Sequence, residues 1–278
     1  MSSRQSRVLR WLKKRKVDYR WMQKLAWHKT RLHKEIGGGF RYVPKEEGAA
    51  AIPLRGLTTV MEARLFHHGG GDTVAAPRAP PIVNGISSQG PLRHYTGHKR
   101  GTLIHKQLED KVNLDRASYR RVHPHGSHAW VRLLRNERRA RGYRQFRGEF
   151  LVYHMGVKLA TPIDALLSDK KGRIIVDEVK SGYRGTFTVP DGHVWTIPAL
   201  AHFFPVCTVH ARAVIQVVLG AEMLRQRWGI PYERLRPCVT RVDDEMTEFF
   251  FVPRQVFREL GPLLLELVAP PQPSTHPW

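Results

Sequence analysis

Hydrophobic and polar positions change their rhythm several times along the chain, and each rhythm predicts an element. In the first 36 residues Val8, Trp11, Leu12, Tyr19, Met22 and Ala26 recur at spacings near three and four, with Arg and Lys between them. That spacing gathers the apolar side chains on one side of a helix and leaves the cations in water, so 1–36 reads as a basic helical segment. Residues 66–91 lose the rhythm. They hold His67-His68-Gly69-Gly70-Gly71 and then Pro77, Pro80, Pro81, Gly85, Gly90 and Pro91. Gly and Pro at that density continue neither a helix nor a central strand, so the stretch reads as a linker.

Residues 92–268 read as an α/β unit. Thr102 is the expected N-cap of a helix over 103–112. The Arg-rich stretch 132–147 is expected to be helical in its first half. From Phe150 the pattern turns strand-like. Two β-rich runs, 159–167 and 173–180, flank Ser168-Asp169-Lys170-Lys171-Gly172, which predicts a hairpin with a polar turn. Helical periodicity returns over 209–228 and stops at Gly229-Ile230-Pro231. Two more strands are expected at 237–242 and 247–252, then a final helix at 256–268 with Gly261-Pro262 as a break. The organisation expected is a basic N-terminal arm over 1–65, a linker over 66–91, an α/β domain over 92–268 and a Pro-rich tail over 269–278.

Composition narrows the class of protein. Lys and Arg number 46 against 24 Asp and Glu, a formal charge of +22. The excess is one-sided: residues 1–45 carry 14 basic and 2 acidic side chains, residues 46–148 carry 18 and 8, and residues 149–278 carry 14 and 14. Charge gathered in one half suggests a polyanionic partner, nucleic acid or an anionic membrane surface; a basic face kept for solubility is the plain alternative. With 41% hydrophobic and 25% charged residues, the chain can bury a sizeable core. No apolar run approaches the ~18 residues of a membrane span. Arg and Lys interrupt the first apolar residues, so no secretory signal is expected. Two cysteines, Cys207 and Cys238, exclude a disulfide scaffold and a four-cysteine zinc or iron–sulfur site.

An intracellular protein is expected: nuclear or mitochondrial in a eukaryotic or viral setting, cytoplasmic in a bacterial one. Lys13-Lys14-Arg15-Lys16-Val17 resembles a nuclear-import signal. The acid-free first twelve residues, rich in Ser and Arg, suit a mitochondrial transit peptide. A nucleic-acid-binding arm with no targeting role is the third reading, and the three stay open.

The chemistry is concentrated in the hairpin. Its strands read Thr161-Pro162-Ile163-Asp164-Ala165-Leu166-Leu167 and Ile174-Ile175-Val176-Asp177-Glu178-Val179-Lys180-Ser181-Gly182. Alternation puts Glu178 and Lys180 on one face, and the hairpin can bring Asp164 beside them. Two carboxylates so close repel unless a cation lies between them. Mg²⁺ fits, because it takes one or two carboxylates plus waters and substrate phosphate oxygens. The lysine can orient an attacking water or help deprotonate it, and can offset charge developing at phosphorus. An ordinary hairpin with a salt bridge is the plain alternative. The strongly apolar strand neighbours, beside which an unpaired charge is costly, favour a site.

Asp164 followed by Glu178-Val179-Lys180 and Ser181-Gly182 resembles the PD-(D/E)XK nuclease motif, and within it the RecB-like exonuclease branch, which includes the mitochondrial genome maintenance exonucleases. That branch has a Gly-Thr-x-x-His helix start before the hairpin, matched here by Gly101-Thr102-Leu103-Ile104-His105. The resemblance implies a restriction-endonuclease-like α/β core, with a mixed central β-sheet whose active-site hairpin is flanked by helices. It implies Mg²⁺ or Mn²⁺ held by Asp164, Glu178, the Val179 carbonyl and His105, with Glu149 as the family's upstream glutamate and Lys180 positioning the nucleophile. Asp164, Glu178, Lys180 and Glu149 are then the catalytic set. The branch's later helix carries Gln-x-x-x-Tyr near the DNA; Gln216 matches the glutamine, but Gly220 replaces the tyrosine. Gln216, Ser181 and Arg184 are the candidates for substrate contact. The stretch 183–209 is long for the family, and the iron–sulfur cysteines of some members are absent. The likeness covers roughly 97–252, and it is carried by the order of the motifs rather than by any one of them.

The activity expected is a Mg²⁺- or Mn²⁺-dependent deoxyribonuclease, an exonuclease or flap-processing enzyme of DNA replication, repair or recombination. Its partner is DNA, single-stranded or with free ends; RNA stays open as a substrate, and no membrane partner is expected. Two other readings stand beside it: an inactive nuclease fold used as a nucleic-acid clamp, and a basic structural protein of a ribonucleoprotein particle. Several other groups have plain readings. His123, His125 and His128 read as a polar loop before a zinc site. The set His202, Cys207, His210 and Cys238 reads as buried cysteines before a Cys₂His₂ site. Residues 97–102 lack the residue order of a phosphate loop. Trp195, Phe203 and Phe204 read as packing before a stacking platform for bases.

Overall fold

The structure, a computed structural model, describes residues 3–16, 18–28, 31–35, 39–45, 49–68, 97–182, 187–190 and 192–270. Arg184, most of the expected linker (from 69 onward) and the tail from 271 lie outside the described residues. In chain order the elements are α1 (Ser3–Lys14), α2 (Arg20–Trp27), β1 (Leu32–Lys34), β2 (Phe40–Tyr42), β3 (Ile52–Gly56), α3 (Leu57–Arg64) and β4 (Phe66–His68). Then come α4 (Gly97–Asn113), α5 (Arg116–Val122), α6 (Ala129–Ala140), β5 (Arg144–His154), β6 (Leu159–Ser168), β7 (Ile174–Ser181) and β8 (His193–Trp195). The chain closes with α7 (Pro198–Phe203), α8 (Val209–Trp228), β9 (Leu235–Val242), β10 (Thr247–Phe251) and α9 (Arg254–Val268).

Strands β1-β2-β3-β6-β7-β9-β10 follow one another across a single mixed sheet, and β5 pairs the other edge of β6. Pairs β3–β6 and β7–β9 are parallel; the rest are antiparallel. The fold is therefore α/β, with a mixed central sheet flanked by helices. The largest core joins α1, α2, α3, α8 and α9 to the sheet through residues such as Leu12, Leu25, Leu57, Phe150, Ile163, Val176, Leu219 and Leu264. A second core joins α4 and α6 through Ile104, Leu108, Trp130 and Leu134 to Val179 and Val242. α8 spans the residues its period predicts. Thr208 caps its start by accepting from the Ala211 N–H, and Gly229 ends it in the left-handed region at φ 61.

The N-terminal segment departs from the arm expected over 1–65. Its apolar stripe does not face water: Val8, Leu12, Met22, Leu25 and Ala26 are buried against the main core. β3 pairs β6 through Arg55↔Leu159 and Gly56↔Ala160. The Arg55 guanidinium donates to the Val157 and Val268 carbonyls, each at 3.0 Å, and so ties the segment to the β5–β6 connection and to the end of α9. The expected linker also starts too early, because Phe66–His68 forms β4 and pairs with β8.

Two smaller expectations are corrected. α4 begins at Gly97, so Thr102 lies inside the helix rather than capping it. α9 runs through Gly261-Pro262 without a break. Burial of Phe257, Leu260, Leu264 and Leu265 against the body holds that helix, and packing of this kind outweighs local propensity.

Candidate active site

The site forms where the sheet forks. β5 runs along one edge of β6 from Leu159 to Ser168. On the other edge β3 pairs only Leu159 and Ala160, while β7 pairs only Ala165 to Ser168. Residues 161–164 are left between the two partners. Pro162, which has no N–H to offer a ladder, sits in that gap. Alternation also slips there. Ile163 and Leu166, three residues apart, both enter the main core, whereas strict alternation would send them to opposite faces. Across the β5–β6 ladder, between Gly148↔Ala165 and Phe150↔Ile163, Glu149 stands opposite Asp164 with φ at 47. A non-glycine residue in that region stores strain of roughly 1 kcal/mol.

α4 is brought down over this irregularity by two glycines. A Cβ on Gly148 would lie 2.8 Å from the Glu109 Cα, so α4 meets β5 at a point where any side chain would collide with backbone. A Cβ on Gly101 would lie 3.1 Å from the Ser181 Oγ at the end of β7. Seated on both strands, α4 swings His105 over Asp164, and His105 Nδ1 lies 3.1 Å from Asp164 Oδ1. The other carboxylate oxygen accepts from the Val179 N–H at 2.7 Å. Lys180 Nζ donates to Glu178 Oε1 at 2.7 Å and to Gln216 Oε1 of α8 at 3.3 Å. A cavity of about 650 Å³ opens here, and His105, Glu109, Glu149, Asp164, Val179 and Lys180 are among its lining residues.

The electrostatics are those of crowded buried charge. Burial first, then the Asp164 charge, push the Glu178 carboxyl up to about 7. Burial acts the same way on Asp164, but the His105 and Lys180 charges and the His105 and Val179 hydrogen bonds outweigh it and hold Asp164 below its ordinary value. Burial would lower His105, yet the charge and hydrogen bond of Asp164 raise it to about 9. Burial would also lower Lys180, and Glu178 and Asp164 together keep it above its ordinary value. Glu149 is pushed up by burial and then by the Glu109 carboxylate beside it.

Asp164, Glu178 and the Val179 backbone are oxygen donors of the kind a hard cation takes, with imidazole nitrogen from His105. Burial is the main cause of the raised Glu178, with Lys180 and His105 already opposing it; by chemistry alone these oxygen and nitrogen donors are ones that could hold Mg²⁺ or Mn²⁺. Among the described residues no three His, Cys, Asp or Glu side chains already converge as a ready-made metal cluster. Ser181 also lines the cavity. Gly220 is buried against the Ile163 and Thr161 side chains of β6, which a tyrosine ring there would meet.

Two residues escaped the sequence reading. Glu109 follows His105 by one helical turn, and that i,i+4 spacing was the available signal. Asp177 points away from Glu178 and is fully buried. It pairs with Arg138 of α6 at 2.6 Å and accepts from the Thr240 hydroxyl at 2.6 Å. Its signal was Arg138, which continues the apolar stripe Trp130, Val131, Leu134 of α6.

The competing clusters dissolve. His123 Nε2 meets Asp110 Oδ2 at 3.0 Å, His128 caps α6 by accepting from the Trp130 N–H, and His125 is exposed, so the three do not form a zinc site. Cys207 and Cys238 are buried, in separate clusters of the core, and are not joined to each other. Trp195, Phe203 and Phe204 pack on the main core, and the Trp195 indole N–H donates to the Phe204 carbonyl at 2.8 Å. Comparison of the chain with protein-family models and with curated proteins finds no match.

Proposed function

We propose that the chain is a metal-dependent deoxyribonuclease with a restriction-endonuclease-like core, of the PD-(D/E)XK kind and nearest in motif order to its RecB-like branch. One observation carries the reading: Asp164, Lys180 and His105, from three separate elements, line one cavity of about 650 Å³, and Lys180 ties the buried Glu178 to it at 2.7 Å. Asp164, Glu178, the Val179 carbonyl and His105 would hold Mg²⁺ or Mn²⁺, with Glu149 in support. Such an ion supplies Lewis acidity at a phosphoryl oxygen and lowers the pKa of the attacking water. Lys180 stays protonated at neutral pH, so its part is to orient that water and offset developing negative charge, not to take a proton. Gln216 holds the lysine ammonium from α8. The substrate proposed is DNA with free ends or single-stranded segments, as arises in replication, repair and recombination; RNA is the other polymer the same chemistry would accept.

The test is digestion of end-labelled single-stranded, flapped and duplex DNA with Mg²⁺ and with chelator. Asp164→Asn and Lys180→Ala should each lower Mg²⁺-dependent cleavage by about a hundredfold or more, while DNA binding stays near wild type. Undiminished cleavage by both purified variants would refute the assignment. One observation favours a second reading, a non-cleaving nucleic-acid clamp. Each carboxylate already has a cation within the protein, Asp164 with His105 and Glu178 with Lys180. Tight binding with no cleavage of any of the three substrates would select that reading.

A further inference from the structure

About five residues along β5 from Glu149, roughly 17 Å at the rise of an extended strand, the end of α6 and the start of β5 enclose a second cavity of about 50 Å³. Its lining includes Arg135, Arg138, Arg139 and Arg144, with Val8 of α1 and Tyr143. Arg135, Arg138 and Arg139 stand at i, i+3 and i+4 on α6, so they share one helix face, where like charges repel. Among the described residues, only Arg138 of the four has a carboxylate partner, the buried Asp177.

The donors of this pocket are incompletely used. Arg138 spends one guanidinium nitrogen on Asp177 and another on Gln145 Oε1, at 2.6 and 2.9 Å, and its buried Nε meets no acceptor. The Nε of Arg135 is likewise buried without an acceptor. Burial, then the neighbouring Arg139 charge, hold Arg135 below its ordinary pKa. The Arg144 guanidinium lies over the Trp11 ring, 5.6 Å from its centroid, and is thereby fixed beside the pocket. Arg138 is buried, Arg135 and Arg144 are half-buried and Arg139 is exposed; two buried guanidinium Nε atoms without an acceptor are unfavourable unless an acceptor such as an anion enters beside them. The space takes a group of a few heavy atoms and is too small for a nucleobase. Guanidinium forks match the oxygens of phosphate, and several together neutralise its charge.

We propose that this pocket binds a phosphate group. The source we argue for is a nucleic-acid strand engaged at the cavity above Asp164, and that part rests on the nuclease reading; free inorganic phosphate is the same chemistry from another source.

The experiment uses the full chain in chelator, so that cleavage plays no part. Wild type, Arg135→Gln/Arg139→Gln and the single exposed-site variant Arg139→Gln are compared. The first measurement is binding of short single-stranded oligonucleotides, with and without a 5′ phosphate, over a range of salt. The second is the thermal midpoint in sodium phosphate against sodium chloride at equal ionic strength. Circular dichroism reports folding, and the single variant carries the test if the double variant is not folded. The slope of log K against log salt should fall by about 0.7 for each strand phosphate no longer held, and phosphate should raise the midpoint of wild type more than that of the variants. A variant effect confined to the 5′-phosphorylated oligonucleotide supports a terminal phosphate as the ligand. A phosphate-dependent midpoint with an unchanged slope supports the pocket and assigns it to the free anion. Equal slopes and equal midpoints in wild type and variants overturn the proposal. Failure of the nuclease reading would instead appear as wild type that never cleaves with Mg²⁺, whatever the slopes.

Discussion

His105 is under opposing influences, and their balance can be read by titration. Burial works against its charge, and the Asp164 carboxylate at 3.1 Å restores it and more, to a pKa of about 9 against an ordinary 6.5. A histidine whose folded pKa exceeds its unfolded value contributes stability that is full below 6.5 and is lost as pH rises through about 9. In metal-free buffer the thermal midpoint of wild type should therefore fall relative to His105→Gln as pH climbs from 6.5 to 9. Parallel profiles for the two proteins would contradict the ion pair. If the proposed metal assignment holds, protons and a divalent cation would compete for the same imidazole and for Glu178, so Mn²⁺ should bind more tightly over the same rise in pH, with proton release measurable by calorimetry in two buffers. At this scale Asp164, Glu178 and Lys180 were legible, because strand alternation and a short turn are local properties. Asp177 was not, because its meaning depends on Arg138, 39 residues away in sequence.

The elements most legible were those with long periods. α8 is 20 residues long, buries side chains from Ala211 to Leu224 and ends on a glycine; the β6–β7 hairpin has apolar strands and a polar turn. β1, β2 and β4 have three residues each, too few to show a period of two. The start of α4 was misread because a threonine after a glycine is also how many helices begin. That same Gly101 here permits a close approach to β7, as Gly148 does for β5. Gly148→Ala should force α4 away from β5, costing about 1–3 kcal/mol in chemical denaturation. Because α4 carries His105, the same substitution should also lower any Mg²⁺-dependent cleavage. A variant within error of wild type in both measurements would show that α4 is not clamped there.

Across the whole molecule the basic N-terminal segment is part of the body. Removing residues 1–68 would take Leu12, Met22, Leu25, Leu57 and Leu65 out of the main core and strip β3 from β6. The truncated chain should lose its cooperative thermal transition, and a sharp, wild-type-like melt would show that 97–270 folds alone. The charge asymmetry takes on structure as well. Residues 149–278, neutral overall, hold Asp164, Glu178 and Lys180, while the basic half brings His105 to them and lines the arginine pocket beside α6. Among the described residues no helix is long and apolar enough to cross a membrane.

By itself the sequence determined the α/β class, the hairpin, its facing carboxylates and lysine, and the helix behind them. Those follow from side-chain periodicity and turn chemistry, which act over a few residues. Only the tertiary structure decided the rest. It joined the N-terminal segment to the sheet, opened the fork in β6 where Asp164 sits, twisted Glu149 to face it and lowered α4 until His105 met the carboxylate. Each of these depends on contacts between residues tens to hundreds of positions apart, where packing and buried charge, not local pattern, set the geometry.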